Sequence, residues 1–507
     1  MPTRFLETER TYDPPEGATL PDLVAATDGL VAAVEHLDEI DLDATYVDTD
    51  DLALLRRRVT LRHRKGGADS GWHLKLPLGR DTRHEVHWPL TSSGTRVPRT
   101  VQDTLSAYTL GEPLRPVVRL QTTRRRCLLR ADDGSALAEL CDDQVAATVL
   151  VGAPFEQGTT RWREIEVELL EGRPELLATV DDAMAAVGAM PAPTQSKLVR
   201  AMADRLPEAV ELTNLRCSAG DSVTRYLREQ VEQLRAADLD LRLDEDGEGV
   251  HDVRVQARRL RAAVAVYRSV LDQSVARLVQ AELRELGQAL GPVRDLQVTR
   301  EQLRDAVGDL DPAAAATVAG LAGRTLAERD EQTRATMRRA LTSRRYVGLL
   351  RDLDALGSAG GGGMAAEPAG EVLPRQVRKA SKRLRRRART ATDVPAGRRT
   401  EALHDVRKAA KRLRYACEVA EPAVGKPARR LGKAARRVQR TLGDHHDAVA
   451  LAALLEELAA ADTATGPAGF VLGRLHGAQV VRATTSERDY QRALKRVTRA
   501  KATRWLR

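Results

Sequence analysis

The sequence predicts a multidomain protein, α+β in front and all-α behind: a strand-dominated barrel followed by a duplicated helical unit. Three observations carry this. Over roughly the first 205 residues, short segments alternate in polarity between turn signals. From about Ser218 onward the apolar residues recur with the roughly 3.6-residue period of a helix. Two motifs in that second part also repeat at almost one offset. A chain of 507 residues is in any case longer than one ordinary core.

In the front part, Thr60–Arg64 (TLRHR), Trp72–Leu76 (WHLKL), Arg83–Trp88 (RHEVHW), Val117–Arg130 and Trp162–Leu169 (WREIEVEL) alternate and read as strands. Lys65-Gly66-Gly67, Asp132-Asp133-Gly134 and Gly152-Ala153-Pro154 read as turns. A helix is expected from Pro174 to Val187, stopped by Met190-Pro191-Ala192-Pro193. Glu7 and Glu9 share one strand face, as do Arg62 and Arg64, Glu139 and Asp143, and Glu164, Glu166 and Glu168. Leu61, Leu74, Leu76, Ile165 and Val167 fall on the other face. Alternation alone favours the solvated face of an ordinary antiparallel sheet. If the polar face lines a barrel, clustered carboxylates suit Mg²⁺ or Mn²⁺, and Arg and Lys suit phosphate oxygens. That is the apparatus for metal-assisted attack of water on a phosphoanhydride.

The second part predicts helices over roughly 219–237, 250–271, 274–303, 312–341, 374–390, 400–420, 427–442, 445–461 and 467–500. Ser358–Gly363 (SAGGGG) with Pro368 divides them. His251-Asp252-Val253-Arg254 recurs as His404-Asp405-Val406-Arg407, followed by ARRLR and AKRLR. Leu290-Gly291-Pro292-Val293-Arg294-Asp295 recurs as Leu442-Gly443-Asp444-His445-His446-Asp447. The offsets are 153 and 152 residues, so the unit is duplicated, over about 218–357 and 370–507.

Charge is distributed unevenly. The chain carries +9 overall, but Glu371–Arg440 holds 23 Lys/Arg against 6 Asp/Glu, a net of +17. On helices, His251, Arg254, Arg258 and Arg261 step by 3, 4 and 3, and so do His404, Arg407, Lys411 and Arg414. Further rows are Arg375, Arg378, Lys382 and Arg385, and Lys426, Arg429, Lys433, Arg436 and Arg440. Like charges so spaced oppose helix formation by a few tenths of a kcal/mol per pair. One such row is an ordinary solvated face. Four rows within a duplicated unit point to a polyanion, since a line of cations can track a line of phosphates. A histidine heading a row can donate a hydrogen bond, more strongly when protonated.

The HDVRVQARRLRAAVAVYR and HDVRKAAKRLRY segments, with their LG…RD and LG…HD companions, resemble the CHAD domain, the conserved histidine α-helical domain. The resemblance covers residues 212–507 and implies pseudo-symmetric helical bundles that bind inorganic polyphosphate. It singles out His251, Arg254, Arg258, Arg261, Arg375, Arg378, Lys382, Arg385, His404, Arg407, Lys411, Arg414, Lys433 and Arg436 as polyphosphate-binding candidates.

Residues 1–205 resemble the CYTH domain of the triphosphate tunnel metalloenzymes. ETERTY, TLRHR, WHLKLP, RHEV, TTRRR, the acidic pair at 139 and 143, REIEVEL and SKLVR occur in that family's order. The resemblance implies a closed eight-stranded antiparallel barrel that hydrolyses inorganic triphosphate or a related short chain with Mg²⁺ or Mn²⁺. Carried over by position, Glu7, Glu9, Glu164 and Glu166 are catalytic, and with Glu139, Asp143 and Glu168 they hold the metal; Glu85 is a further tunnel carboxylate, and Asp142 competes with Asp143 for its place. Arg62, Arg64, Lys75, Arg124 and Lys197 hold phosphate. The family's opening ExExK motif reads Glu7-Thr8-Glu9-Arg10-Thr11 here, with threonine in place of the lysine. A barrel that binds triphosphate or nucleotide without hydrolysis is the alternative.

Cys127, Cys141, Cys217 and Cys417 lie far apart with no CxxC pair, which argues against a disulfide framework or a zinc cluster. The opening MPTRFLETERTYD is charged where a signal peptide is apolar, and no run approaches a membrane span. A cytoplasmic protein, on polyphosphate granules if the resemblance holds, is expected. Nucleic acid is disfavoured: no recognisable module is present, and aromatic residues are 3% of the chain, too few for base stacking.

Overall fold

The computed structural model describes residues 2–79, 81–89, 96–151, 158–205, 218–244, 248–308, 310–358, 361–460 and 466–506. Two compact units are Met1–Glu211 and Leu212–Arg507. The expected turn at Gly152-Ala153-Pro154, Cys217, and Ala359-Gly360 of the glycine-rich break lie outside the described residues.

The first unit contains β1 (Thr3–Asp13), β2 (Ala33–His36), β3 (Ile40–Asp48), β4 (Thr60–Lys65), β5 (Gly71–Pro77), β6 (Thr82–Pro89), β7 (Arg115–Arg130), β8 (Ala136–Val149), β9 (Thr159–Leu169) and the short β10 (Met190–Pro191). Strands run β1-β6-β5-β4-β3-β7-β8-β9, all antiparallel, and β9 pairs back onto β1. This closes the expected eight-stranded barrel; β2 is added to β7 and β10 to β1. β2 and β3 were not among the strands expected from alternation. Asp41, Asp43 and Asp48 lower the β propensity of β3, and its pairing with β4 and β7 overrides them.

Closure puts apolar residues outside and polar residues in the lumen. Tyr12, Leu129, Leu140, Ile165 and Val167 turn outward and are buried against Leu177, Val180 and Met184. Those three belong to the helix Pro174–Ala186, which begins with proline in its first turn, where no helical N–H is lost. The β4–β5 turn requires glycine: Gly66 has φ +87°, and a Cβ there would lie 2.1 Å from the Asp41 carbonyl oxygen.

In the second unit, helices Ala219–Leu243, Gly249–Val266, Gln273–Val307 and Pro312–Leu341 correspond in order to Ala369–Thr392, Arg399–Val424, Lys426–Ala459 and Pro467–Thr498. The halves meet where Gly249–Val266 packs on Arg399–Val424. There the Tyr267 hydroxyl donates to the Ala416 carbonyl at 2.7 Å, and Arg258 Nε donates to the Tyr415 hydroxyl at 3.1 Å.

Three expectations are corrected. Arg344–Ser358 is a helix, burying Tyr346, Leu349, Leu350, Leu353 and Leu356; its 3- and 4-residue spacing was legible but interrupted by Gly348 and Gly357. The third basic helix begins at Ala369, before Pro374 rather than at it. The expected pair 427–442 and 445–461 is one helix, Lys426–Ala459. Gly443 does not break it; the Arg407 guanidinium packs 3.4 Å from where its Cβ would be.

Candidate functional site

Because inward residues alternate along every strand, the barrel lumen collects charge from seven of the eight; β3 contributes Ile40, Leu42 and Tyr46. A cavity of about 220 Å³ is lined by Glu7 and Glu9 of β1, Arg62 and Arg64 of β4, Lys75 of β5, Arg83 and Glu85 of β6, Arg124 and Arg126 of β7, Glu139 of β8, and Glu166 and Glu168 of β9. Lys197, from the short helix Lys197–Ala201, reaches in as well.

Register decides who meets whom. Glu9 lies opposite Glu168, Thr11 opposite Glu166, and Glu139 opposite Glu168, so carboxylates from three adjacent strands form one belt. Lys75 Nζ is 2.6 Å from Glu7 and 3.4 Å from Glu85, and Arg83 is 2.7 Å from Glu9. Arg124 grips Asp143 with both arms of its fork, at 2.7 and 2.6 Å, and reaches Glu166 at 2.6 Å. Lys197 Nζ contacts Glu164 and Glu166 at 2.6 Å and Asp143 at 3.0 Å. Asp143 points inward and is fully buried, whereas its neighbour Asp142 pairs with Arg163. His73, 2.5 Å from Glu85, is held near pKa 3 by burial despite that partner.

Not every charge is matched. One oxygen of Glu7 is buried without a hydrogen-bond partner, and Glu168 makes no ion pair among the described residues. Burial and then Glu7 push the Glu168 carboxyl up to about 8. Across the lumen, Arg62 has no carboxylate partner among the described residues, only the Tyr46 hydroxyl at 3.3 Å, and its Nε is buried without one. Burial, followed by Arg62, pulls the Arg64 guanidinium below its ordinary value although it pairs with Asp69.

These residues fit a hard divalent cation. One oxygen from each of Asp143, Glu164 and Glu166 lies within 4.8 Å of the others, and among the described residues no sulfur or imidazole ligand joins them. The ammonium of Lys197 already contacts all three. Among the described lumen carboxylates, one oxygen of Glu7 is buried without a partner and Glu168 has no ion pair. Thr11 takes the place expected for lysine, with its hydroxyl buried and unpartnered. Arg10 turns outward to Asp81 and Asp181.

In the helical unit, Arg254, Arg258 and Arg261 from one repeat and His404 and Lys411 from the other line one cavity of about 640 Å³. Arg407 stands beside it, half-buried, and the Arg254 guanidinium is 2.9 Å from the Gly291 carbonyl and 3.1 Å from Asp295. Burial lowers Lys411 well below its ordinary value, with Arg407, Arg258 and Arg254 adding to it. His404 is held down to about 4 by burial and then Lys408, and its ring lies 5.2 Å from His446. His404 is the sixth residue of its helix, beyond the first turn, so it is not a capping residue.

Other sequence candidates lie elsewhere. Arg375 pairs with Glu371 and Glu367, Arg385 donates to Thr498 and Thr503, and Arg414 pairs with Glu418. Arg378, Lys433 and Arg436 are exposed, and His251 is half-buried on its helix outside the cavity lining. Lys382 lines a neighbouring cavity. Alternation also places Arg83, two residues before Glu85, and Arg126, two after Arg124, on the lumen face. Arg284, Arg383, Arg387, Lys408 and Arg412 join the helical cavity only through packing between helices.

A closed barrel with a charged tunnel, joined to a duplicated helical unit with a cationic cavity, defines a tunnel-fold phosphate-binding class of protein. Family models agree: the CYTH domain matches residues 6–202 and the CHAD domain matches residues 225–456. An uncharacterized Mycobacterium tuberculosis protein, MT2285 in strain CDC 1551 and Rv2226 in strain H37Rv, is 36% identical over 523 residues, 98% of each chain. Among solved structures, PptA from Streptomyces chartreusis is 22% identical, with a TM-score of 0.45, covering 55% of this chain and 99% of its own. The CHAD domain from the plant Ricinus communis is 24% identical, with a TM-score of 0.42, covering 57% and 97%. The chain belongs to the family of proteins in which a CYTH domain precedes a CHAD domain.

Proposed function

We propose that the barrel hydrolyses inorganic triphosphate, or a related short phosphate chain, with Mg²⁺ or Mn²⁺, and that the helical unit binds inorganic polyphosphate. The observation that carries the first half is incompletely matched charge of both signs in one lumen: on one side Arg62, with no carboxylate partner among the described residues, and on the other Glu168, with no ion pair among them, and Glu7, with one buried oxygen unpartnered. The cations suit non-bridging phosphate oxygens, and the carboxylates suit the metal.

In this reading Glu7, Glu9 and Glu168, with Glu139, Asp143, Glu164 and Glu166 around them, hold the divalent ion. When bound, the ion supplies Lewis-acid polarisation of the phosphate and a lower pKa for water. Arg62, Arg64 and Lys75 orient the chain; Arg83 and Lys75 brace Glu9 and Glu7; Arg124 and Lys197 brace Glu166. Water forms the new O–P bond at the terminal phosphorus, the bridging P–O bond breaks, and phosphate and diphosphate leave.

Phosphate release from inorganic triphosphate, with and without Mg²⁺ or Mn²⁺, tests this. Release no greater than that of a Glu9→Ala, Glu166→Ala double variant would sink hydrolysis. A second reading, a binding-only barrel, is favoured by Thr11 at the lysine position and by the Lys197 ammonium seated among Asp143, Glu164 and Glu166. For the helical unit, RNA that displaces polyphosphate from the full chain at matched phosphate and salt would overturn the ligand assignment; salt weakening alone would not discriminate. Among the described residues, no helix is long and apolar enough to cross a membrane. The proposed setting is the cytoplasm, on polyphosphate granules.

A further inference from the structure

A second basic cavity, of about 600 Å³, adjoins the first in the helical unit. Lys379, Lys382, Arg383 and Arg386 line it from the helix Ala369–Thr392, and Arg268 lines it from beyond the end of Gly249–Val266. The four helix residues follow steps of 3, 1 and 3, so they share one face over about 10 Å of axis. That helix has no acidic residue between Glu371 and Asp393. None of these five cations has a carboxylate partner among the described residues, in contrast to Arg375 at the same helix's start.

The two cavities share lining: Arg383 and Arg412 belong to both. Arg412 is half-buried and lies below its ordinary value, through burial and then the nearby Arg383, at the junction, and Arg261, in the first cavity. A compact anion filling the first cavity leaves the second row of cations uncompensated. A linear polyanion crossing at Arg383 and Arg412 neutralises both. Among the described residues the second cavity has no aromatic lining, so it offers nucleobases no stacking platform.

We propose that the two cavities form one continuous track, in which the second binds the continuation of a polyphosphate chain whose neighbouring segment fills the first. This rests on the polyphosphate reading above and adds a length preference: chains long enough to pass the junction bind more tightly, per phosphate, than chains confined to one cavity.

The test is calorimetric titration of the full chain with tripolyphosphate and with long-chain polyphosphate, for wild type and a Lys379→Ala, Arg386→Ala variant. Both side chains are exposed, and alanine favours helix, so the fold should be retained; unchanged thermal unfolding checks this. The variant should lose roughly tenfold in long-chain affinity and lower the salt dependence by about one to two phosphate contacts. Tripolyphosphate affinity should stay within about twofold; uptake by the barrel is common to both proteins. An unchanged long-chain affinity, or equal losses for both chains, would overturn the second cavity. If wild type bound neither chain outside the barrel, the polyphosphate reading itself would fall, a result distinct from the variant's effect.

Discussion

Lys197 Nζ lies 2.6 Å from Glu166 and equally close to Glu164, with Asp143 at 3.0 Å, so a single ammonium holds three carboxylates together, two buried and Glu166 partly so. Removing it as Lys197→Ala leaves those charges uncompensated away from water. Unpairing a buried ion pair costs about 3–5 kcal/mol. Thermal unfolding should therefore show a large loss in metal-free buffer, partly restored by Mn²⁺ or Mg²⁺. Equal melting temperatures for variant and wild type would contradict the role given to Lys197.

Glu168 leads to a pH prediction. Its carboxyl titrates near 8 in the folded barrel, because of burial and then Glu7, against about 4.5 in an exposed chain. Between those values the folded protein holds a proton that the unfolded chain has released. The resulting stability is fully present below about 4.5 and is lost as pH rises through about 8. A divalent cation needs the ionised form, so its affinity should rise from about pH 6.5 to 8.5, with proton release that calorimetry in buffers of different ionisation enthalpy can count. Glu168→Gln should abolish both the release and the pH dependence.

His404 should respond in the opposite sense. Its folded pKa is near 4, lowered by burial and then by Lys408, His446, Lys411 and Arg407. In the free protein, stability present above about 6.5 is lost as pH falls through about 4. A polyphosphate in the adjoining cavity offsets the cations and raises that pKa. Binding should then take up a proton, and affinity should increase up to about tenfold per unit as pH falls from 7 toward 5. His404→Gln should flatten that profile.

Gly66 predicts a backbone effect far from any charge. With φ +87° and the Asp41 carbonyl oxygen 2.1 Å from a virtual Cβ, Gly66→Ala cannot fit without moving β3 or the turn. A loss of about 1–3 kcal/mol is expected, read from denaturant unfolding of the barrel. A variant of wild-type stability would mean that the turn can rearrange freely.

Much of the charged architecture was legible locally. A period of two places Glu164, Glu166 and Glu168 on one face whatever the strand pairs with, and the 3-4-3 steps of Arg254, Arg258 and Arg261 do the same for a helix. The repeat offset related His251 to His404 without any coordinates. The helix Arg344–Ser358 was only partly legible, its spacing interrupted by glycines, and the continuity of Lys426–Ala459 through Gly443 was not legible at all. Glycine ends many helices, and nothing local announces that the Arg407 side chain, distant in sequence, packs where its Cβ would have been.

The sequence by itself determined the two classes of structure and which residues carry charge, because periodicity depends only on near neighbours along the chain. Tertiary structure decided which of those charges are matched. Arg375 and Arg414 looked equivalent to Lys382 and Lys411, yet the first two pair with carboxylates and the latter two line cavities. Asp142 and Asp143 differ by one residue, yet one pairs with Arg163 and the other with Arg124 inside the tunnel. Pairing and burial are long-range properties, set by strand register and helix packing, and they separate structural charge from charge that remains for a ligand.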